Sequence, residues 1–265
     1  MTSQLVGVIH LPALPGAPTN TCNMHDILQS VRLDAAALAA AGFDAVVVEN
    51  FGDAPFFKDN VPKVTVAAMT AACMAVREAA PTLGLVVNVL RNDADAALAI
   101  AAVTGARAIR VNIHTGARVA DQGLIEGRAA ETLRTRKALG LSTAIWADVD
   151  VKHSAPLAPY PLDQDVRDLV FRGGAEVVIA SGSGTGVLPD EAKMRAISEL
   201  VRGAGARVGL GSGASLVTLP MLAKHIDVLI VGSALMDDGK AGGGIVAERA
   251  QEFAIAFRAA FLTRS

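Results

Sequence analysis

The sequence predicts an α/β protein of the (β/α)8 TIM-barrel class. Short apolar, β-branched runs alternate eight times with Ala-rich helical segments, which is typical of parallel strands joined by crossover helices. Connections from helix to strand are short and carry glycine, whereas several connections from strand to helix are long. A doubly wound sheet would be favoured by a G-x-G-x-x-G motif after the first strand, and none follows it. We therefore expect a single barrel domain over residues 1–265.

The same patterns set the expected elements along the chain. Eight strands are predicted, at residues 5–9, 45–49, 85–89, 108–113, 143–149, 176–180, 207–210 and 228–231. Eight helices are predicted between and after them, at residues 25–41, 61–80, 93–104, 123–139, 162–172, 190–202, 215–224 and 244–262.

Composition excludes several classes of protein. The 265 residues are 52% hydrophobic but only 4% aromatic, which suits Ala-rich helices around Val- and Ile-rich strands. The net charge is −2 and no basic block occurs, so nucleic acid is not expected as a partner. The sequence shows no secretory signal and no apolar run of the roughly 20 residues that span a bilayer. These features predict a cytoplasmic protein without a transmembrane segment; peripheral membrane association stays open.

Residues 142–153, S-T-A-I-W-A-D-V-D-V-K-H, contain the predicted fifth strand. With the two-residue period of a strand, Trp146, Asp148, Asp150 and Lys152 share one face, while the other face is mostly apolar. The charges gather at the carboxyl end, after an apolar start. Because that end of a parallel barrel opens into the active site, we expect these charges to face the mouth.

Polar residues accumulate at the carboxyl ends of the other early strands when the same alternation is applied to them. Catalytic residues of barrels come from several strand ends, so this distribution is what an enzyme needs. The candidate catalytic residues are Glu49, Arg110, Asp148 and Lys152. The candidate substrate contacts are His10, Asn88, Asn112, His114 and His153.

Each of these residues has more than one interpretation. Asp148 or Glu49 would act as general acid or base, while Arg110 and Lys152 would stabilise developing negative charge. Lys152 could instead be a base, a Schiff-base nucleophile or a simple anion binder. Arg110 could simply neutralise Glu49 or Asp148 in a buried network. A histidine at a strand end is more often a hydrogen-bonded structural residue than a catalyst.

Three Gly–Ser turns follow the last three predicted strands. Glycine lets backbone N–H groups approach an anion closely, and barrels often hold a phosphate with the loops after strands seven and eight. Glycine and serine also make tight turns and helix caps without any ligand. Three such turns in succession favour a phosphate site. We assign to it Gly182, Gly211, Ser212, Gly213, Gly232 and Ser233.

The sequence gives few indications of a cofactor or a protein partner. Glu49, Asp148 and the histidines could hold a divalent metal, although their nonlocal spacing does not identify one, and no organic cofactor motif is present. Phe51, Phe56 and Phe57 lie in the long second loop. They could cover the site, pack on a substrate, pack on one another or lie at the interface of a homo-oligomer.

Several segments together resemble the BtpA/SgcQ family. The resemblance spans almost the whole chain and rests on G-V-I-H-L-P-A-L-P-G-A-P at 7–18, V-E-N-F-G-D-A-P-F at 48–56, N-V-L-R-N-D at 88–93, I-R-V-N-I-H-T-G at 109–116, D-Q-G-L-I-E-G at 121–127, A-D-V-D-V-K-H at 147–153 and the G-T-G, G-S-G and V-G-S turns. It implies a barrel of the ribulose-phosphate-binding type. The family takes its name from a role in photosystem I biogenesis, and other members are encoded beside sugar-phosphate transport genes.

Two functional hypotheses follow. The first is an enzyme acting on a phosphorylated sugar or nucleotide-like metabolite, by isomerisation, aldol-type cleavage or glycosidic cleavage. The second is a non-catalytic assembly or stability factor for a membrane protein complex, built on the same scaffold. Fold alone does not separate them, because barrels host many roles. The ring of charges at the mouth favours the enzyme, since burying charges without a functional need is costly.

Overall fold

Eight parallel strands close into a barrel in the computed structural model, which describes residues 3–151, 153–181, 190–237 and 239–262. Neighbouring strands follow chain order, and the first and last strands close the ring with Gln4 beside Val228. The predicted TIM barrel is therefore confirmed. Its strands are β1 (Gln4–His10), β2 (Ala45–Glu49), β3 (Gly84–Asn88), β4 (Ala108–Val111), β7 (Ala144–Val149), β9 (Val177–Ala180), β10 (Arg207–Leu210) and β11 (Val228–Val231). The strand predicted at 143–149 is the fifth of the barrel.

Helices surround the barrel. They are α1 (Met24–Ala41), α2 (Lys63–Ala79), α3 (Ala94–Thr104), α4 (Ala129–Ala138), α5 (Leu162–Arg167), α6 (Glu191–Gly203), α7 (Leu219–Leu222) and α8 (Ala247–Leu262). A π-helical turn, Asp168–Arg172, extends α5. Local chemistry sets the ends of α1: the Asn23 side chain accepts a hydrogen bond from the Asp26 amide, and Gly42 ends the helix at a φ of 81°.

Two apolar layers hold the barrel. Residues that alternate along the strands separate into an inner cluster and an outer cluster against the helices, as the two-residue period requires. In β1, Val6 and Val8 pack inside the barrel, whereas Leu5 and Ile9 pack against the helices. Trp146 fills the inner layer from β7, directly below Asp148 in the same strand face. The carboxyl ends of the strands are left for polar side chains.

A small antiparallel sheet beside the mouth was not predicted. It consists of β5 (Ala117–Ala120), β6 (Gly123–Glu126) and β8 (Ser154–Pro156), in the order β6-β5-β8. The predicted helix at 123–139 is therefore wrong over residues 123–128, since α4 begins at Ala129. Gly123 adopts a φ of 87°, which begins a strand after a tight turn, and Ile125 alone of β6 is buried. Ile125 packs with Ile113 and Val151, so contacts distant in sequence decide this segment.

Candidate active site

A cavity of about 320 Å³ lies at the carboxyl end of the barrel. It brings together side chains from the ends of β1, β2, β4 and β7 with the turns after β10 and β11. The predicted residues that line it are His10, Glu49, Arg110, Asn112, Asp148, His153, Gly211, Ser212, Gly213, Gly232 and Ser233. Lys152 and Gly182, also predicted for the site, lie outside the described residues.

Arg110 and Asp148 form a buried, two-pronged ion pair at the floor of the cavity. The Nε and Nη2 atoms of Arg110 donate to the two carboxylate oxygens of Asp148 at 3.0 and 2.9 Å. Asn112 Nδ2 donates a third hydrogen bond to the same carboxylate, at 3.0 Å. Burial alone would lower the pKa of Arg110, but the neighbouring Asp148 charge outweighs it and the pKa is raised. Arg110 therefore remains a cation, held in one orientation.

Glu49 has a different environment. Its carboxylate lies 3.8 Å from Arg110 Nη1 and 4.0 Å from His10 Nε2, and both distances exceed those of hydrogen bonds. The side chain is only 10% exposed and lines the cavity. The carboxylate thus keeps free acceptor capacity that faces the cavity.

His10 is held from two sides. The Gly242 amide donates to His10 Nδ1 at 3.3 Å, and the ring of Phe51 packs on the imidazole with centroids 4.5 Å apart. Because Nδ1 accepts a hydrogen bond, the neutral ring carries its proton on Nε2, the atom nearest Glu49. The pair can therefore share a proton with a ligand bound between them and the turns.

Asn88 supports this network from beneath. Its Nδ2 donates to the Arg110 carbonyl at 3.1 Å and to Asn112 Oδ1 at 3.3 Å. Asn88 is buried and does not line the cavity. Asn88, predicted as a substrate contact, therefore holds the Arg110 main chain and the Asn112 side chain in place.

The turns after β10 and β11 face the charged side chains. A Cβ atom on Gly211 would lie 3.1 Å from Arg110 Nη2, and one on Gly232 would lie 3.1 Å from His10 Cε1. An added Cβ atom would be tightly packed at both positions, so glycine lets the backbone approach Arg110 and His10 this closely. The Ser212 hydroxyl is buried and has no hydrogen-bond partner among the described residues. This unused hydroxyl and the close backbone are features of an anion-binding turn.

Two predicted orientations differ from the structure because strand geometry ends early. β4 stops at Val111, and His114 lies outside the cavity, fully buried with Nε2 2.8 Å from the Gly173 carbonyl oxygen. Burial lowers the pKa of His114. Asp150 adopts a φ of 54° and forms ion pairs with Arg118, at 3.3 Å, and Lys193. It thus does not line this cavity.

Phe51, Phe56 and Arg91, which lie outside the strands, also line the cavity. Arg91 lies three residues beyond β3, where the two-residue period no longer applies. Burial lowers its pKa, while the Asp148 carboxylate favours its charged form. The signal available in the sequence was a basic residue in the loop after a strand. Phe51 and Phe56 belong to the aromatic loop, and Phe57 is largely exposed.

Two further properties of the described residues concern metal-ligand clusters and membrane-spanning helices. Within the described ranges, no group of three or more His, Cys, Asp or Glu side chains is arranged to hold a metal ion. Glu49 and Asp148 both face Arg110 instead. In the same part of the chain, no helix has the length and apolarity to cross a bilayer.

Fold and site together define a TIM-barrel protein whose mouth combines a buried charge network with Gly–Ser turns. The chain belongs to the BtpA family, whose model matches residues 1–259. It is 40% identical to the photosystem I biogenesis protein BtpA of Synechocystis sp. over 251 residues, 94% of this chain and 86% of the relative. It is also 40% identical to an uncharacterized protein of Methanocaldococcus jannaschii over 248 residues, 94% of this chain and 92% of that protein.

Solved structures with the same fold include enzymes. The thiamine phosphate pyrophosphorylase of Pyrococcus furiosus aligns with a TM-score of 0.57 and 14% identity, covering 97% of this chain and 96% of that one. A mutant tryptophan synthase α-subunit of the same organism aligns with a TM-score of 0.56 and 18% identity, covering 99% of both chains. Identities this low show a shared fold alone.

Proposed function

We propose that this protein is an enzyme that acts on a phosphorylated small molecule through acid–base chemistry at the barrel mouth. One observation carries the proposal: a single cavity joins an available carboxylate, a fixed guanidinium and Gly–Ser turns. A scaffold that only binds other proteins gains nothing from buried charges there, and such charges cost stability unless they are used.

The phosphate would bind at the turns after β10 and β11. The unpartnered Ser212 hydroxyl and the backbone exposed by Gly211 and Gly232 support this assignment. The position also agrees with the usual phosphate site of barrels, formed by the loops after their last two strands. Arg110 and Arg91 add positive charge to the same cavity.

Glu49 is the residue we propose as general acid or base. Asp148 already accepts three hydrogen bonds, so its role is to orient Arg110 as a positioning residue. Among the described residues the Glu49 carboxylate has no contact as short, and His10 lies beside it as a second proton carrier. Arg110 would stabilise negative charge that develops on the substrate. Lys152 remains, from the sequence alone, a further candidate for that task.

The reactions that fit are those in which a proton moves at a carbon or oxygen near the phosphate. Isomerisation of a sugar phosphate, aldol-type cleavage and cleavage of a glycosidic bond all need one acid–base pair and charge stabilisation. Each can use Glu49 for the proton and Arg110 for the charge.

The proposal is tested by thermal shift against sugar phosphates, nucleoside monophosphates and inorganic phosphate, with and without divalent metals. A ligand at about 100 times its Kd should add roughly 2.7 kcal/mol of stability. We expect a selective shift for one group of phosphorylated compounds. Gly232→Val should abolish it, because the added side chain fills the space beside His10.

Gly203→Ala is the matched control, since a Cβ atom there meets nothing within 4 Å. It should keep the wild-type response. A flat panel for the wild-type protein, or an equal response of Gly232→Val, would overturn the phosphate site.

A second candidate function is an assembly factor. The observation that favours it is the 40% identity to the photosystem I biogenesis protein BtpA of Synechocystis sp.. This hypothesis predicts a flat panel, and it predicts that Glu49→Gln supports assembly of the partner complex as well as the wild-type protein does. Loss of function in a folded Glu49→Gln variant would favour the enzyme.

A further inference from the structure

A second cavity, of about 220 Å³, lies beside the first, at the small sheet of β5, β6 and β8. The two cavities share Asn112, Asp148 and Val151 in their walls. A ligand anchored in the first cavity can therefore extend past the Asp148 carboxylate into the second. A substrate larger than a simple sugar phosphate would occupy both.

The second cavity is mainly apolar. Its apolar lining includes Ile113, Val151, Pro156, Leu157 and Tyr160. A sugar ring carries several hydroxyl groups around its rim, and burying them against such a wall would leave many without hydrogen bonds. A flat heteroaromatic ring has apolar faces and polar edges, which match the mainly apolar wall and the few polar groups of the second cavity.

The wall of the second cavity also contains polar groups. The Thr115 hydroxyl is buried and has no hydrogen-bond partner among the described residues. Asp165 also lines the second cavity, and burial raises the pKa of its carboxyl group. Arg118 is already engaged, because it donates to Ser154 at 2.7 Å and to Asp150 at 3.3 Å. Thr115 and Asp165 therefore remain to bind the edge of a ring.

We propose that the second cavity binds the nitrogen heterocycle of a nucleoside monophosphate whose phosphate lies on the turns after β10 and β11. The inference rests on the proposed function and names its substrate class. The sugar would then span the shared wall, beside Asp148 and Asn112, with Glu49 and Arg110 on the side of the phosphate.

The test compares calorimetric binding of ribose 5-phosphate and of the common nucleoside monophosphates. At least one nucleoside monophosphate should bind about tenfold or more tightly than ribose 5-phosphate. Thr115→Val keeps the side-chain shape and removes the hydroxyl. It should weaken binding of that nucleotide about two- to tenfold, the effect of losing one hydrogen bond, and leave ribose 5-phosphate unchanged.

Thr70→Val is the matched control, since Thr70 lies on α2 and its hydroxyl donates to Val66 at 2.8 Å, outside both cavities. It should not change binding of either compound. Thr115→Val should not lower the melting temperature, because its hydroxyl has no protein partner to lose.

Two outcomes are separable. If ribose 5-phosphate binds as tightly as every nucleotide, or if Thr115→Val leaves nucleotide binding unchanged, the heterocycle site is wrong while the phosphate site stands. If neither compound class binds, the proposed function fails with it.

Discussion

Asp148 and Glu49 are two acids of the same cavity with different surroundings. Asp148 accepts hydrogen bonds from Arg110 and Asn112, whereas the nearest contacts of Glu49 are 3.8 and 4.0 Å long. A buried carboxylate that pairs with a guanidinium supports the fold, because removing it leaves a buried charge without its partner. A carboxylate that faces a cavity supports binding or chemistry.

This contrast gives a prediction for two conservative variants. Asp148→Asn should lower the free energy of unfolding by about 3 kcal/mol, since it breaks the buried ion pair. Glu49→Gln should change it by less than about 1 kcal/mol. Urea denaturation measures both, and equal losses would contradict the separate roles given to the two acids.

The buried His114 side chain should make the free energy of unfolding fall in acid. Burial lowers its folded-state pKa below the ordinary 6.5, so below pH 6.5 the unfolded chain binds more protons than the folded protein. The neutral His114 ring makes its full contribution to the free energy of unfolding above pH 6.5. This contribution is lost as the pH falls towards the lower pKa of the folded state. His114→Gln should therefore flatten the decline in unfolding free energy between about pH 7 and pH 5.

The control for that experiment is His25→Gln, because His25 is exposed. This variant should keep the wild-type slope. An unchanged slope in His114→Gln would show that the buried imidazole is not the group that resists protonation.

The segment Asn50 to Asp53, N-F-G-D, joins three loops of the mouth. Asn50 Oδ1 accepts from the Leu90 amide at 2.7 Å, and Asp53 Oδ1 accepts from the Leu14 amide at 2.8 Å. The Gly52 amide also donates to the Leu11 carbonyl at 2.9 Å. The loops after β1, β2 and β3 are thereby held together beside the cavity.

Gly52 permits this junction because it has no side chain. A Cβ atom there would lie 2.2 Å from the Ala13 amide nitrogen and 2.5 Å from the Pro12 carbonyl carbon, both backbone atoms. Gly52→Ala should lower the free energy of unfolding by about 2 kcal/mol, because backbone must move to admit the methyl group. Thermal or urea unfolding measures this, with Gly203→Ala as the unhindered control; equal stability of the two variants would contradict the junction.

Sequence patterns predicted the strands well and the mouth only partly. Within a strand, alternation correctly placed Asp148 above Trp146 on the inner face. Beyond the strand the rule fails, because Asp150 takes a left-handed backbone and the chain after Val111 directs His114 outwards. The hairpin at residues 117–126 depends on pairing with β8, a contact that local propensity does not encode.

Around the whole molecule, the helices and the outward-facing strand residues form one continuous apolar layer. Cys73 of α2 is buried in that layer, and burial raises the pKa of its thiol to about 12. Cys22 is exposed. Cys22 therefore lies on the surface of the protein and Cys73 in its interior.

Thiol labelling should distinguish them. In a Cys22→Ser protein, Cys73 should react only as fast as the barrel opens, and denaturant should accelerate labelling steeply. In a Cys73→Ser protein, Cys22 should react at once under native conditions. Rapid native labelling of Cys73 would contradict a helix α2 that is packed as described.

The chain is a BtpA-family barrel, and the position of a bound phosphate is the decisive test of the proposed site. We would determine crystal structures with inorganic phosphate and with the phosphorylated compound that raises the melting temperature most. We predict phosphate at the turns after β10 and β11, in contact with Ser212 and near Arg110. Phosphate bound elsewhere, or a cavity without phosphate in both crystals, would contradict it.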